Sequence, residues 1–270
     1  MRVNRLSASA IDAARGLRTA AFRLVSPLER LWRAQRGRVP LPPLWLRRHA
    51  GPVRAFESAA ADCRSQLLAW NALAPEGRIV DLGCGPGAMA LALAGDLAPG
   101  ARYVGIDVHA PSVAWCRRRF AGDARFRFEL SDVVSAYGPG GVALADYRLP
   151  IEDGWSDLVL AKSLFTHLSE SEAGRHLSEI SRVLAPEGRA LVTAFLFGGN
   201  PVPAFPFGDT RFRWRVRSRP AAATAFARPV WEEMLRRARL RIERESPGFY
   251  PGDAGTVSGQ DVQVLRRADS

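Results

Sequence analysis

The residues best suited to chemistry form one run and two followers. Asp81-Leu82-Gly83-Cys84-Gly85-Pro86-Gly87 comes directly after a short apolar segment, 78–82, and directly before the helix-like segment 88–97. Glycines at such a junction let the chain turn tightly and let a ligand approach the main chain. Asp107 stands 20 residues past Gly87, at the end of the next apolar segment, 103–107. A carboxylate there can accept hydrogen bonds from both hydroxyls of a ribose. Asp132 follows the third such segment, 126–130. A helix cap or a turn would account for any one of these acids. Three of them at three successive strand ends point instead to a ligand along one sheet edge. Gly83, Gly85 and Ala88 also satisfy the dinucleotide fingerprint, so a nicotinamide cofactor is an alternative on the loop alone.

These residues need a scaffold, and the flanking pattern supplies one. Segments 78–82, 103–107, 126–130, 156–163 and 189–197 read as buried strands. Segments 88–97, 111–120 and 170–184 read as helices between them, and 185–188 (APEG) as a turn. Strands separated by helices form βαβ units and a parallel sheet. The end differs: a helix over 230–240 is followed by strands 241–246 and 261–267 with no helix between them. Those two strands should pair antiparallel. The fold class is therefore α/β, a Rossmann-like sheet with helices on both faces and a reversed last strand.

Residues 198–229 form a Pro- and Gly-rich insertion. Within it, RFRWRVRSR (211–219) alternates Arg with Phe212, Trp214 and Val216, as a strand with one charged face does. This reads either as an edge protected by charge or as a binding surface for an anionic substrate, with Trp214 a substrate candidate.

The first 55 residues are a separate arm, and the body of the chain is 56–270. The arm carries a net charge of +10, and the body is nearly neutral at +1. The chain's 38 basic residues include one lysine, Lys162. So strong an Arg bias reflects coding composition, and the pI of 10.9 alone does not indicate a nucleic-acid partner. In the arm, Ile11, Ala14, Leu17, Ala21, Leu24, Leu28 and Leu31 recur at helical spacing. Ser26-Pro27-Leu28-Glu29 resembles a helix restart, with Ser26 as N-cap. Two helices with a break at Ser26 are expected, then a stiff linker over 39–43 and another helix over 55–73. The apolar face either packs on the core as a lid or makes peripheral contact with an anionic membrane.

Composition excludes several classes. At 47% hydrophobic and 24% charged residues, the chain can bury a core. No apolar run reaches the length of a membrane span. Cys63, Cys84 and Cys116 are odd in number and lack a CxxC pair, which fits a reducing cytoplasm. The Arg-rich start also has the composition of a transit peptide. No metal-ligand spacing, Gly-x-Ser-x-Gly elbow or phosphate loop is present.

Taken together, VDLGCGPG, Asp107, Asp132, the segment SDLVLAKSLFTHL (156–168) and the stretch HLSEISRVLAPEGRALVTAF (176–195) resemble the class I S-adenosylmethionine-dependent methyltransferases. The resemblance spans about residues 60–267. It implies a seven-stranded sheet and S-adenosyl-L-methionine as cofactor. By that resemblance Asp81, Gly83, Gly85 and Gly87 hold the methionine end. Asp107 binds the ribose, Asp132 the adenine amino group, and Val108 and Val133 pack on adenine. Glu187 replaces a Gly usual in the family's turn. AKSLF stands where amino-methylating enzymes of nucleic acids carry their motif, which argues against a nucleic-acid acceptor.

The leading reading is a methyltransferase for a small-molecule or glycan-type acceptor, directed to oxygen. His167, just past the fourth strand, is the candidate general base; a structural histidine is its alternative. Lys162, Ser163, His49 and Trp214 are substrate candidates. The competing readings are a non-catalytic cofactor-binding module that uses the basic arm to hold a partner, and a nicotinamide-dependent oxidoreductase.

Overall fold

A computed structural model describes residues 8–135, 140–198, 204–248 and 259–268, with side chains from residue 16 onward except at His49. The chain divides into two compact units, Met1–Glu57 and Ser58–Ser270.

In the first unit, α1 (Ala8–Gln35) is one continuous helix with Pro27 inside it. The expected break at Ser26 does not occur. Ser26 is not an N-cap: its hydroxyl donates back to the carbonyl of Phe22 at 2.5 Å and accepts the N–H of Leu44 at 3.0 Å. That second contact ties α1 to the short α2 (Leu44–Arg47). The helix also turns the other way round from its apolar pattern. Among its described side chains Ser26 and Arg33 are the buried ones, and Arg33 holds Glu57 at 3.0 Å. Glu29 pairs with the buried Arg47. Leu17, Leu24, Leu28 and Leu31 are exposed instead of packed.

The second unit begins within α3 (Phe56–Ala69). Five parallel strands follow: β1 (Arg78–Leu82), β2 (Arg102–Asp107), β3 (Phe126–Leu130), β4 (Ser156–Ala161) and β5 (Leu184–Phe197). They lie in the order β3-β2-β1-β4-β5. α4 (Ala88–Leu93), α5 (Ala110–Arg119) and α6 (Glu170–Val183) connect them. Alternation along each strand divides the core into two faces. Ile79, Leu158 and Leu160 pack with Leu67, Leu93 and Cys116 on one side. Val80, Leu82 and Val159 pack with Leu177 and Ile180 on the other. α6 starts at a capping box, with Ser169 and Glu172 satisfying each other's backbone N–H.

The sheet closes as expected at its far side. α7 (Arg228–Arg237) leads into β9 (Leu240–Ser246), and β10 (Asp261–Arg267) inserts antiparallel between β5 and β9. It also carries three strands beyond the expected seven: β6 (Phe207–Gly208), β7 (Phe212–Trp214) and β8 (Thr224–Ala227). β8 pairs parallel with Phe195–Phe197, and β7 and β6 continue outward antiparallel. The strand expected over 211–219 is thus confined to 212–214. α4 is shorter than expected and gives way to a turn before Gly95. The expected turn at 185–188 is absorbed into β5 as a register shift opposite Ser156–Leu158.

Candidate active site

The glycine loop between β1 and α4 is built from conformations that only glycine adopts readily. Gly83, Gly85 and Gly87 have φ of 70°, 50° and 78°. The N–H groups of Gly83 and Cys84 both donate to the carbonyl of Ile106, at 2.8 and 3.2 Å, and so fasten the loop to β2. A Cβ on Gly87 would stand 2.9 Å from Cys116 Sγ. A Cβ on Gly85 would meet nothing within 4 Å, so open space lies beside the main chain there. Such a cradle fits a ligand held against the backbone.

Asp107 locks onto this loop from the end of β2. Its Oδ2 accepts the N–H of Gly85 at 2.7 Å, and its Oδ1 accepts the N–H of His109 at 2.7 Å. Charged acceptors make stronger hydrogen bonds than neutral ones, so the carboxylate is fixed in place. Asp132, past β3, is exposed, and its Oδ1 accepts the N–H of Gly141 at 2.8 Å. Both acids sit at the carboxyl edge of the parallel strands, where open α/β sheets bind ligands. Val133 is buried in the core, and Val108 is partly buried against it.

Asp81 is placed differently from the other two acids. It is buried, and Tyr103 donates its hydroxyl to Asp81 Oδ2. Burial raises its pKa to about 7, while the Tyr103 hydrogen bond and the charge of Lys162 oppose the rise. Its direct partner is therefore a scaffold residue. Burial also drives the thiols of Cys63, Cys84 and Cys116 upward, Cys63 to about 12, which leaves all three protonated and unreactive. Lys162, at the end of β4, is half-buried.

Two further groups stand at the same edge. Ser163 has a left-handed backbone, φ 60°, which is rare for a residue with a Cβ and marks local strain. Its N–H donates to Thr193 Oγ1 at 2.7 Å, and its hydroxyl meets the side chain of Gln260. Thr193 also donates to Gln260 Oε1 at 2.5 Å. His167 lies in a 3-10 turn, Phe165–His167. Its Nδ1 is 2.8 Å from the carbonyl oxygen of Ala221. A carbonyl only accepts, so Nδ1 carries the proton and Nε2 the lone pair. Burial lowers the His167 pKa, against the opposing effect of that hydrogen bond, so the ring is neutral at pH 7.

The structure thus gathers Gly83, Gly85, Gly87 and Asp107 into one unit and sets Asp132, Lys162, Ser163 and His167 at the same sheet edge. Trp214 lies on β7, half-buried, and its Nε1 has no hydrogen-bond partner. The side chain of His49 lies outside the described residues. Tyr103, Thr193 and Gln260 escape sequence reasoning. Thr193 leaves one trace, a polar residue inside the apolar run RALVTAFLF.

Comparison with known proteins agrees with this geometry. Residues 80–192 match the family model described as "Methyltransferase domain". A Streptomyces fradiae protein, an uncharacterized 37.1 kDa protein in transposon TN4556, is 30% identical over 138 residues. That match covers 51% of this chain and 36% of the relative. The geranyl diphosphate C-methyltransferase of Streptomyces coelicolor A3(2) shares the fold with a TM-score of 0.55 and 17% identity, over 85% of this chain and 84% of that one. The mitomycin 7-O-methyltransferase MmcR has a TM-score of 0.53 and 19% identity, over 83% of this chain and 57% of its own. The [4+2]-cyclase SpnF has a TM-score of 0.52 and 22% identity, over 77% and 81%. Residues 80–192 therefore match a methyltransferase domain, and the chain shares its fold with S-adenosylmethionine-dependent methyltransferases of known structure. The chain spans about a third of the length of the curated relative it matches.

Proposed function

We propose that the protein transfers the methyl group of S-adenosyl-L-methionine to a hydroxyl of a small-molecule or glycan-type acceptor. The cofactor, when bound, supplies an electrophilic methyl group on a sulfonium. The chain supplies position and a proton acceptor. The backbone of Gly83–Gly87 would hold the methionine end, stiffened from beneath by Asp81 and Tyr103. Asp107 would accept from the ribose hydroxyls while it keeps its grip on Gly85, and Asp132 would accept from the adenine amino group.

The observation that carries the oxygen-directed reading is His167. Its Nδ1–H is committed to Ala221, so Nε2 is the basic nitrogen. A hydroxyl becomes a competent nucleophile as its proton passes to such a base. Alignment of acceptor and methyl group supplies much of the remaining rate. Lys162 and Ser163 lie at the same strand end and would line the acceptor side. The insertion leaves from the carboxyl end of β5, which supports a part in acceptor choice. There the Arg215 guanidinium lies over Phe195 and Phe205, 5.6 and 5.1 Å from the ring centroids.

The test is a panel of hydroxylated aromatics, secondary metabolites and glycans, incubated with S-adenosylmethionine and scored by release of S-adenosylhomocysteine. An O-methylated product, strongly reduced in His167→Gln, is expected. Methyl transfer to carbon or nitrogen, or full activity in His167→Gln, would overturn the oxygen-directed reading.

A further inference from the structure

The exposed side of α1 carries an unusual surface. Leu17, Leu24, Leu28 and Leu31 are 74%, 78%, 67% and 58% exposed, and Trp32 is 42% exposed. At 3.6 residues per turn they form one stripe, with Trp32 at its margin. Exposed Arg23 and Arg30 run along one border of the stripe and Arg18 along the other. The opposite face is already used: Ser26, Glu29 and Arg33 bind Leu44, Arg47 and Glu57. The stripe is therefore the free face of a helix whose polar face is fastened. Soluble proteins rarely leave so continuous an apolar surface in water.

The charge pattern selects what covers it. The arm holds a net charge of +10. The acid on α1 among the residues with described side chains is Glu29, and Arg47 neutralises it. A second copy of this helix would bring Arg against Arg, and among the described side chains its one acid, Glu29, is already paired with Arg47. A nucleic acid would match the arginines but leave four leucines in water. An anionic bilayer satisfies both features, taking the leucines below the headgroups and the arginines beside the phosphates.

We propose that α1 binds the surface of an anionic membrane, lying in the interface with Leu17, Leu24, Leu28 and Leu31 inserted. No helix among the described residues is long and apolar enough to span a membrane, so this is surface attachment. The attachment is independent of the methyl-transfer reading.

Flotation of the full chain with vesicles tests the proposal. The vesicles are phosphatidylcholine alone, or phosphatidylcholine mixed with phosphatidylglycerol. The protein should float with the mixed vesicles and remain behind with phosphatidylcholine alone. Leu24→Asp/Leu28→Asp should cut the bound fraction more than about tenfold, because two leucines no longer insert. An unchanged circular dichroism spectrum and unchanged S-adenosylhomocysteine binding would confirm that this variant folds. Absence of flotation on anionic vesicles would overturn the proposal. So would equal flotation on both compositions, or undiminished flotation of the variant. A dimer in sedimentation velocity that Leu24→Asp/Leu28→Asp dissolves, with no flotation, would assign the stripe to a second copy instead.

Discussion

Replacing Asp81 by Asn should stabilise the protein at alkaline pH and remove part of its pH dependence. Asp81 is fully enclosed beneath the glycine loop, with a pKa raised to about 7 from 3.8. The folded protein thus keeps a proton that the unfolded chain releases between those values. Stability falls as pH rises wherever the folded state binds more protons. The penalty is absent below about pH 4, grows through the interval and is complete above pH 7. Each pKa unit is worth about 1.36 kcal/mol, so the full effect is about 4 kcal/mol at most. Asn keeps the volume and an acceptor for Tyr103 but cannot ionise. Denaturant unfolding at about pH 4 and pH 8 should show a decline in the parent that is smaller in Asp81→Asn by a few kcal/mol. Tyr103→Phe should steepen the decline, because it removes the hydroxyl that steadies the charged form. Parallel pH profiles for the parent and Asp81→Asn would refute the reasoning.

Gly87→Ala should cost about 1–3 kcal/mol, since φ is 78° and the new methyl group meets Cys116 Sγ at 2.9 Å; a thermal melt measures it, and an unchanged midpoint would contradict it. His167→Gln should lower kcat by about 10²–10⁴-fold while cofactor affinity stays within about twofold, read by turnover and calorimetry on an accepted substrate. Burial lowers the His167 pKa, so the acid limb of kcat/KM should have its midpoint below 6.5 and vanish in that variant. Thr193→Val should weaken acceptor KM more than cofactor binding, because it frees the Ser163 N–H that Thr193 Oγ1 accepts at 2.7 Å; equal loss of both would show a general loosening.

The loop and its acids were legible because their signals are local. A strand, three glycines and a helix lie within twenty residues, and each following acid ends its own strand. The antiparallel β9–β10 pair was legible for the same reason. The arm was not. Its leucines repeat at the spacing of a buried face, yet the polar seam of Ser26, Glu29 and Arg33 is the one that finds partners, at positions up to 24 residues away. Nothing in local periodicity tells a packed apolar stripe from an exposed one. Thr224–Ala227 carries weak strand propensity, and it becomes β8 only because the end of β5 offers an open edge. The Ser163–Thr193–Gln260 contacts join positions up to 97 residues apart, which no short pattern encodes.

The most direct test of the account is calorimetric titration with S-adenosylmethionine and S-adenosylhomocysteine, with NAD as control, on the parent and on Asp107→Ala. The account predicts that both sulfur ligands bind and NAD does not. It also predicts that Asp107→Ala weakens binding by at least about tenfold, the worth of one charge-assisted hydrogen bond. Binding of NAD alone, or full affinity for the sulfur ligands in Asp107→Ala, would contradict it.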